Sequence, residues 1–425
     1  MSNDFDHFSQ RVRAERGNFF DRERSITLVR APGWVDLFGG LVADTGLLSL
    51  LWPTGGGVLV AIQPDPEPII RFRVGQRTDS IPCTALFLPG GPREYADAVG
   101  EIDRHQPPRS PWWGPALMAW VALMREEFVR FGGGARVILQ FSDTSVPAAS
   151  VIVAVAQALV TAYSIHVAPR ELAITCAEGL VRLTNRGAEL PGTLVAVSAQ
   201  AGEAMMVNAR AAQIASSVHL PPGCAVWTIR AGDEPRQPLA RVRSALARID
   251  QLVSESKAEA TLADLGIRGV LHHLRYQLTE TIFAGERQPS VTLTALATFA
   301  LAEHQRSRIG LALLRAAANR MQREDDLRLT GELLTQSHWE QAALGLTDPH
   351  ADALVDRLVS PAIFGARQPV ATTQATLVVF GRSDADDEVR RVAADYHATT
   401  GLPVSVTGGS VAGVSVSGVR SGGHN

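Results

Sequence analysis

The sequence predicts an α+β protein made of two domains, and its length and the order of its predicted elements support this. The chain has 425 residues, of which 46% are hydrophobic and 20% charged, enough to form two substantial cores. Strand-like segments come first, a long helical block follows, and strands and helices then return. We expect domains over residues 25–215 and 216–425. Residues 1–24 are predicted to form a short amphipathic helix or a loose leader.

The predicted strands are short apolar runs next to Gly or Pro, or runs of alternating hydrophobicity. They cover residues 25–29, 57–62, 69–74, 136–141, 195–207, 225–229 and 375–380, with one or two closing strands over 404–419. The predicted helices have apolar residues at helical spacing or begin at a proline. They cover residues 113–131, 148–162, 169–183 and 386–400, and most of 239–345 is predicted to be helical as well.

The charge composition argues against nucleic-acid binding and against lysine-dependent catalysis. Forty basic and forty-three acidic residues give a net charge of −3, without the basic stripe that a nucleic-acid binder shows. We therefore expect no nucleic-acid partner. Lys257 is the only lysine, so a Walker-type or Schiff-base lysine is nearly excluded.

Cysteine usage and the N-terminal sequence predict a cytoplasmic protein. Cys83, Cys176 and Cys224 are widely spaced and form no CxxC pair, which is typical of a reducing compartment. Residues 1–24 are polar and charged and contain no apolar core of a signal peptide. The most apolar run, residues 146–160, is shorter than the roughly 20 residues of a membrane span, so we expect no membrane association.

The segment Ala31–Gly40, APGWVDLFGG, carries a family resemblance. Its residues predict a strand, a tight Pro-Gly turn, and a second run ending in paired glycines where a backbone can approach a ligand. The segment resembles the first motif of the GHMP kinases, closest to the L-arabinokinase and galactokinase branch. Further stretches resemble that branch in the same order, including GEA at Gly202–Ala204 and GELLTQSHWEQAALGL at Gly331–Leu346. The resemblance implies a two-domain GHMP kinase fold with a ligand pocket between its halves.

Phosphoryl transfer requires donors for the phosphates, magnesium, and a group that orients the attacking hydroxyl. In the first motif, the resemblance places Trp34 at the position of the family's arginine. The family's sugar-binding acid aligns with Ala43; Asp44 takes its place if the loop shifts by one residue, and is otherwise an ordinary surface-turn aspartate. Asp36 occupies a family Asn or Asp position and either binds substrate or stabilises the turn.

The resemblance places the phosphate loop at residues 142–155, SDTSVPAASVIVAV, which contain no glycine. Pro147 lacks an N–H, and Ile152 stands where the family has an acidic residue. Ser150 stays in register, whereas Ser145 has no clear counterpart. These two serines are the candidate cofactor-binding residues, and the alternative interpretation is an ordinary capped core helix.

The catalytic aspartate and the nucleotide-covering loop are also replaced. The run PGTLVAVSAQ places Val195 at the aspartate position, and the sequence has no carboxylate between Glu189 and Glu203. In the nucleotide-covering loop, residues 365–376, only Gly365 remains of the family's glycines. A second glycine-rich run from Thr407 is predicted to be a closing hairpin with a flexible tail.

These observations favour a catalytically inactive sugar-kinase homologue that binds a small sugar-like ligand or a protein partner. No catalytic residue is assigned, and Asp36 and Asp44 are the candidate substrate-binding residues. The alternative is an active ATP-dependent sugar 1-kinase with a rebuilt site. Only this alternative requires ATP and magnesium as cofactors. Other chemistry lacks support, because there is no GxSxG motif and the adjacent His272 and His273 point in different directions on a helix; no metal site is predicted.

Overall fold

The computed structural model describes residues 3–142, 148–184, 189–232, 240–256, 262–270, 272, 281–285, 288–319, 323–369, 375–417 and 419–422. The chain forms two compact units, and the predicted α+β class is confirmed. Unit 1 comprises Met1–Gly33, Gly55–Ala201 and Val411–Asn425, and unit 2 comprises Trp34–Thr54 and Gly202–Ser410. The units are therefore discontinuous in sequence, unlike the contiguous domains predicted over 25–215 and 216–425.

The described helices are α1 (Asn3–Ala14), α2 (Tyr95–Arg104), α3 (Trp113–Arg125), α4 (Ala148–Ala162), α5 (Pro169–Thr184), α6 (Leu190–Ser198), α7 (Ala240–Ser256), α8 (Leu262–Gly269), α9 (Leu293–Asn319), α10 (Arg323–Ala343), α11 (Pro349–Arg357), α12 (Asp386–Thr400) and α13 (Val414–Ser417).

The described strands are β1 (Ile26–Phe38), β2 (Leu48–Asp65), β3 (Ile69–Val74), β4 (Arg77–Pro82), β5 (Phe87–Leu88), β6 (Gly91–Pro92), β7 (Gly134–Phe141), β8 (Glu203–Asn208), β9 (Gln213–His219), β10 (Cys224–Ala231), β11 (Thr281–Gly285), β12 (Gln288–Thr292), β13 (Ile363–Arg367), β14 (Ala375–Arg382), β15 (Val404–Gly408) and β16 (Val419–Gly422).

Unit 1 contains a mixed sheet with helices packed against one another beside it. The strand order is β16-β1-β2-β7-β3-β4, in which β3 and β7 are parallel. Helices α3 to α6 are largely buried, and Trp113 and Trp120 of α3 are fully buried. The predicted N-terminal helix is present as α1, and its Phe5 and Phe8 pack with Phe20 and the strands in one apolar cluster. One face of α1 and the residues that follow it therefore contribute to the core of this unit.

Unit 2 contains two groups of strands and most of the long helices. The start of β2 pairs with β8, and β8 pairs with β9. A separate antiparallel sheet has the order β13-β14-β10-β15 and shares an apolar cluster with α11 and α12. Helix α9 contributes to two apolar clusters of this unit, so it is central to its packing.

Three local predictions are wrong. Residues 195–207 do not form one strand, because they contain the end of α6 followed by β8; α6 is buried on all sides, and its sequence lacks the periodicity that identifies a helix. Pro32 and Gly33 do not form a turn, since β1 runs through them between buried neighbours. The glycine-rich run from Thr407 is not a hairpin, because β15 pairs with β10 whereas β16 pairs with β1.

Candidate functional site

In unit 1, helix α4 occupies the position predicted for the phosphate loop. Ser145 and the rest of residues 143–147 lie outside the described residues. Ser150 is fully buried, and its hydroxyl donates a hydrogen bond to the Pro32 carbonyl at 2.6 Å. Just before the loop, the Ser142 hydroxyl donates to the Gly57 carbonyl at 2.9 Å. Both described serine hydroxyls are thus bound to backbone groups of their own unit.

Helix α6 occupies the position predicted for the catalytic segment, and it is apolar. Val195 and Ala196 are fully buried, and the neighbouring Thr193 hydroxyl donates to the Leu190 carbonyl at 3.0 Å. The C-terminal segment lies against the end of this helix, where the Ser415 hydroxyl donates to the Val197 carbonyl at 2.7 Å. No group in α6 accepts or releases a proton near neutral pH.

ATP and magnesium are the cofactors that the GHMP kinase resemblance implies. The residues of α4 and α6 show whether a magnesium–nucleotide complex fits this region. Magnesium prefers oxygen ligands, usually one or two carboxylates with phosphates. The described part of α4 has no acidic residue in its first turn, Ile152 is fully buried, and the Ser150 hydroxyl is already bound. No group of three or more His, Cys, Asp or Glu side chains suited to a metal ion is found among the described residues. The described residues of this region therefore do not fit the magnesium–nucleotide complex.

In unit 2, the first motif contains Trp34 and Asp36 on β1. Trp34 is 9% exposed, and its indole Nε1 has no hydrogen-bond partner within the described part of the chain. An indole carries no charge, so it cannot replace an arginine beside a phosphate. Asp44 lies in a 3-10 turn over Gly40–Thr45, and its side chain lies outside the described residues.

Asp36 is fully buried and forms an ion pair with Arg367 at the end of β13. The distance from Arg367 Nη2 to Asp36 Oδ2 is 3.1 Å, and Arg367 Nη1 also donates to the Leu37 carbonyl at 2.8 Å. A Cβ atom on Gly40 would lie 2.3 Å from Asp36 Cγ, so the carboxylate requires a glycine there. Asp36 thus fixes the end of β1 and the turn that follows, and its role in substrate binding stays a prediction.

Glu303 of α9 connects Arg367 to the surrounding helices. Its Oε2 accepts hydrogen bonds from Arg367 Nη1 at 2.9 Å and from the Gly39 N–H at 3.0 Å. Its Oε1 accepts from the Ser337 hydroxyl at 2.6 Å and from Arg306 Nη1 at 3.1 Å. Burial alone raises the pKa of Glu303, but Arg367, the Ser337 hydroxyl, the Gly39 N–H and Arg306 together lower it below its ordinary value. We call Asp36, Glu303, Arg306, Ser337 and Arg367 the Arg367 cluster.

The run GELLTQSH is explained by its contacts with β13. Gly331 and Gly365 face each other so closely that a Cβ atom on Gly365 would lie 1.9 Å from the Gly331 carbonyl oxygen. His338 Nδ1 accepts the Gln368 N–H at 3.3 Å, and His338 Nε2 lies 3.2 Å from Asp352 Oδ1. Burial, followed by the charge of Arg367, lowers the pKa of His338 to about 4, so the ring is neutral at neutral pH.

No feature of the sequence indicated that Glu303, Arg306 and Arg367 form buried ion pairs. A charged residue within a helical or strand pattern gives no sign of a partner hundreds of positions away. The cluster contains two carboxylates and two guanidinium groups, at most 9% exposed, so its charges balance and its carboxylates are occupied. Its role is structural, because it offers no carboxylate for binding or deprotonating a ligand.

Within the described part of the chain, no helix is both long and apolar enough to cross a membrane.

Comparisons with known proteins place the fold. No protein-family model matches the sequence, and no curated protein matches it. Among solved structures, Lactococcus lactis galactokinase complexed with galactose aligns with a TM-score of 0.73 and 14% identity, covering 96% of this chain and 98% of that one. Methanococcus jannaschii mevalonate kinase aligns with a TM-score of 0.56 and 11% identity, covering 90% and 98%. Homoserine kinase from Cytophaga hutchinsonii aligns with a TM-score of 0.54 and 11% identity, covering 95% and 99%. The predicted GHMP kinase fold is confirmed by these similarities.

Proposed function

We propose that this chain, which has the GHMP kinase fold, does not transfer phosphate and acts by binding a small ligand or a protein partner. The observation that carries the proposal is that Val195, which the resemblance aligns with the catalytic aspartate of the GHMP kinases, is fully buried in α6. The sequence offers no carboxylate from residue 190 to residue 202. A neighbouring acidic group therefore does not replace it within that segment.

According to the resemblance, several catalytic groups are replaced together, and this strengthens the proposal. Loss of one transition-state donor costs roughly 10²–10³ in rate, and groups that act as a unit leave little catalysis when all are lost. Here Trp34 replaces the arginine, Val195 the aspartate, and Ile152 the acidic residue of the phosphate-loop helix. The apolar residues at all three positions are 9% exposed or less, so each is integrated into the packing of its unit.

The alternative, a sugar 1-kinase with a rebuilt site, depends on Asp36 or Asp44. Asp36 is paired with Arg367, and removing that contact would leave the buried guanidinium with Glu303 as its one remaining carboxylate partner among the described residues. The alternative therefore depends mainly on Asp44. We also propose a cytoplasmic location, because the three cysteines are unpaired and two of them are buried.

The test is an assay of ADP release with magnesium, ATP and a panel of galactose, arabinose and uronic acids. Lactococcus lactis galactokinase with galactose serves as the positive control. We expect ADP release from this chain to be the same with and without each sugar. Sugar-dependent ADP release would contradict the proposal, and its loss in Asp44→Asn would establish the rebuilt site.

A further inference from the structure

The four-stranded sheet of unit 2 ends at β15 (Val404–Gly408), which pairs with β10 on one side. Among the described strands, none pairs with the other side of β15. The register between β10 and β15 runs without a bulge from Val404 to Gly408. β15 is therefore a regular edge strand, with one row of backbone groups directed away from the sheet.

Two flanking hydrogen bonds show which residues of β15 face outwards. The Gly232 N–H donates to the Pro403 carbonyl at 2.8 Å, and the Gly409 N–H donates to the Val226 carbonyl at 3.3 Å. In an antiparallel pair, hydrogen-bonded residues alternate with residues whose N–H and C=O point away from the partner strand. Three residues between Pro403 and Gly409 therefore offer both groups to another strand. They are Val404, Val406 and Gly408.

β15 lacks the features that protect two other edge strands of this chain from pairing. The edge strand β4 of unit 1 contains Arg77 and Asp79 and ends at Pro82. On the edge strand β9, Arg315 of α9 donates to the Ser217 carbonyl at 3.2 Å, so a side chain already binds that backbone. The sequence of β15, VSVTG, contains neither a charged residue nor a proline. Its edge is therefore suited to receiving a further strand.

The side chains of β15 are complementary to those of a second, antiparallel β15. Val404 and Val406 pack against the apolar cluster shared with α11 and α12, and Ser405 on the opposite face is exposed. When two copies pair about Val406, Val404 lies opposite Gly408, so that a branched side chain meets a position without one. On the other face, Ser405 lies opposite Thr407, and such hydroxyl pairs form cross-strand hydrogen bonds. The pairing is therefore self-complementary on both faces.

The charges beside β15 favour a second copy over a charged peptide. Asp386 of α12 lies beside Gly408, where an added Cβ would be 3.8 Å from Asp386 Oδ1. This carboxylate already accepts hydrogen bonds from Arg390 Nε at 2.7 Å and from Trp227 Nε1 at 2.8 Å. It therefore offers no unpaired charge that would select a charged peptide. A second β15 is already held extended by its own β10, whereas a free peptide loses conformational entropy on binding.

We propose that β15 is the contact surface of a two-fold symmetric dimer, in which two copies of the four-stranded sheet join edge to edge. Val406 lies on the two-fold axis, and each residue of the outward row exchanges N–H and C=O with its counterpart. This assembly goes beyond the proposed function, because it requires neither a ligand nor a nucleotide. A contact made by one pair of strands buries less surface than a permanent dimer, so the dimer forms at micromolar concentrations.

Sedimentation equilibrium of the full-length protein from about 1 to about 200 µM measures the dissociation constant of the dimer. Two double variants change the same two positions and differ only in charge. Ser405→Glu with Thr407→Glu places like charges opposite each other across the interface, whereas Ser405→Glu with Thr407→Lys places opposite charges there. Val406→Pro removes an outward N–H that β10 does not use, so the sheet of the monomer is retained. Thermal unfolding shows whether each variant is folded.

We expect the wild type to dimerise with a dissociation constant of roughly 1–100 µM. The like-charge variant and Val406→Pro should each raise that constant about tenfold or more, whereas the opposite-charge variant should stay within about threefold of the wild type. A wild type that remains monomeric at the highest concentration would overturn the inference and leave the edge to a different partner. A dimer that withstands both the like charges and the proline, or that both charge variants weaken equally, would overturn it too, because it would use another surface or register. None of these results affects the proposed loss of phosphate transfer, which the assay of ADP release tests separately.

Discussion

The Arg367 cluster of unit 2 consists of buried, paired charges, whereas helices α4 and α6 of unit 1 bury apolar side chains where the GHMP kinase resemblance predicts polar ones. Burying an ionised group costs several kcal/mol unless it is paired and hydrogen-bonded. Asp36, Glu303, Arg306 and Arg367 meet that condition through the contacts described above. Val195 and Ile152 carry no charge, so their burial requires no ion pair or hydrogen bond. The charges that stabilise the scaffold are therefore present, whereas packed apolar side chains fill the positions at which the GHMP kinase resemblance predicts charges for phosphate transfer.

The largest effect is expected from Glu303→Gln. This substitution removes the buried carboxylate that accepts from both Arg367 and Arg306, which keep Asp36 and the half-exposed Glu340 as their remaining partners, and we expect the unfolding free energy to fall by about 3–5 kcal/mol. Urea unfolding followed by circular dichroism measures it. The matched control is Glu324→Gln, which removes an exposed pair with Arg328 on α10 and should cost less than about 1 kcal/mol. Equal losses in the two variants would mean that the cluster does not support the scaffold.

Val195→Asp places a carboxylate at the position where the GHMP kinase resemblance predicts the catalytic aspartate, and it tests the other half of the comparison. A carboxylate in this apolar helix has no partner, so we expect a loss of about 3 kcal/mol or more and no sugar-dependent ADP release. Val195→Ala, which only removes volume, should cost about 2 kcal/mol. A stable Val195→Asp variant that gains sugar-dependent ADP release would break the comparison.

A smaller effect is expected from pH. The pKa of His338 is lowered in the folded state to about 4, so the unfolded chain binds more protons than the folded one as pH falls from about 6.5 to 4. Stability should therefore decrease over that window, by about 1–2 kcal/mol at pH ~5 from this group. Urea unfolding at several pH values should show a shallower slope in His338→Gln, whereas His7→Gln on the exposed face of α1 is the matched control. Identical slopes in His338→Gln and the wild type would refute this assignment.

The sequence predicted those elements whose periodicity or composition is distinctive. Strand β3, helix α4 and helix α12 have the bounds that alternation and helical spacing indicated. The end of helix α6, residues 195–198, was predicted as part of a strand because a fully buried helix shows an apolar run without helical periodicity. Pro32 and Gly33 were predicted as a turn because local preference was considered without the neighbouring strands.

The site was less predictable than the fold. The sequence identified Asp36 as either a substrate ligand or a stabiliser of the turn, but the two interpretations differ only in what faces the carboxylate. Its partner Arg367 lies 331 positions away, and Glu303 joins them from a third element. Such a pairing arises from tertiary packing, which neither spacing nor composition records. The assignment of Val195 to the position of the catalytic aspartate comes from the motif resemblance alone and stays a prediction.

The central claim is tested most directly by calorimetric titration of the full-length protein with ATP and magnesium, together with thermal unfolding under the same conditions. We predict no saturable heat and no rise in the midpoint of unfolding, because α4 and α6 contain no carboxylate and the Ser150 and Thr193 hydroxyls are bound to backbone carbonyls. Saturable binding with one nucleotide per chain, accompanied by a raised midpoint, would contradict the account and would indicate that the phosphate loop is still functional.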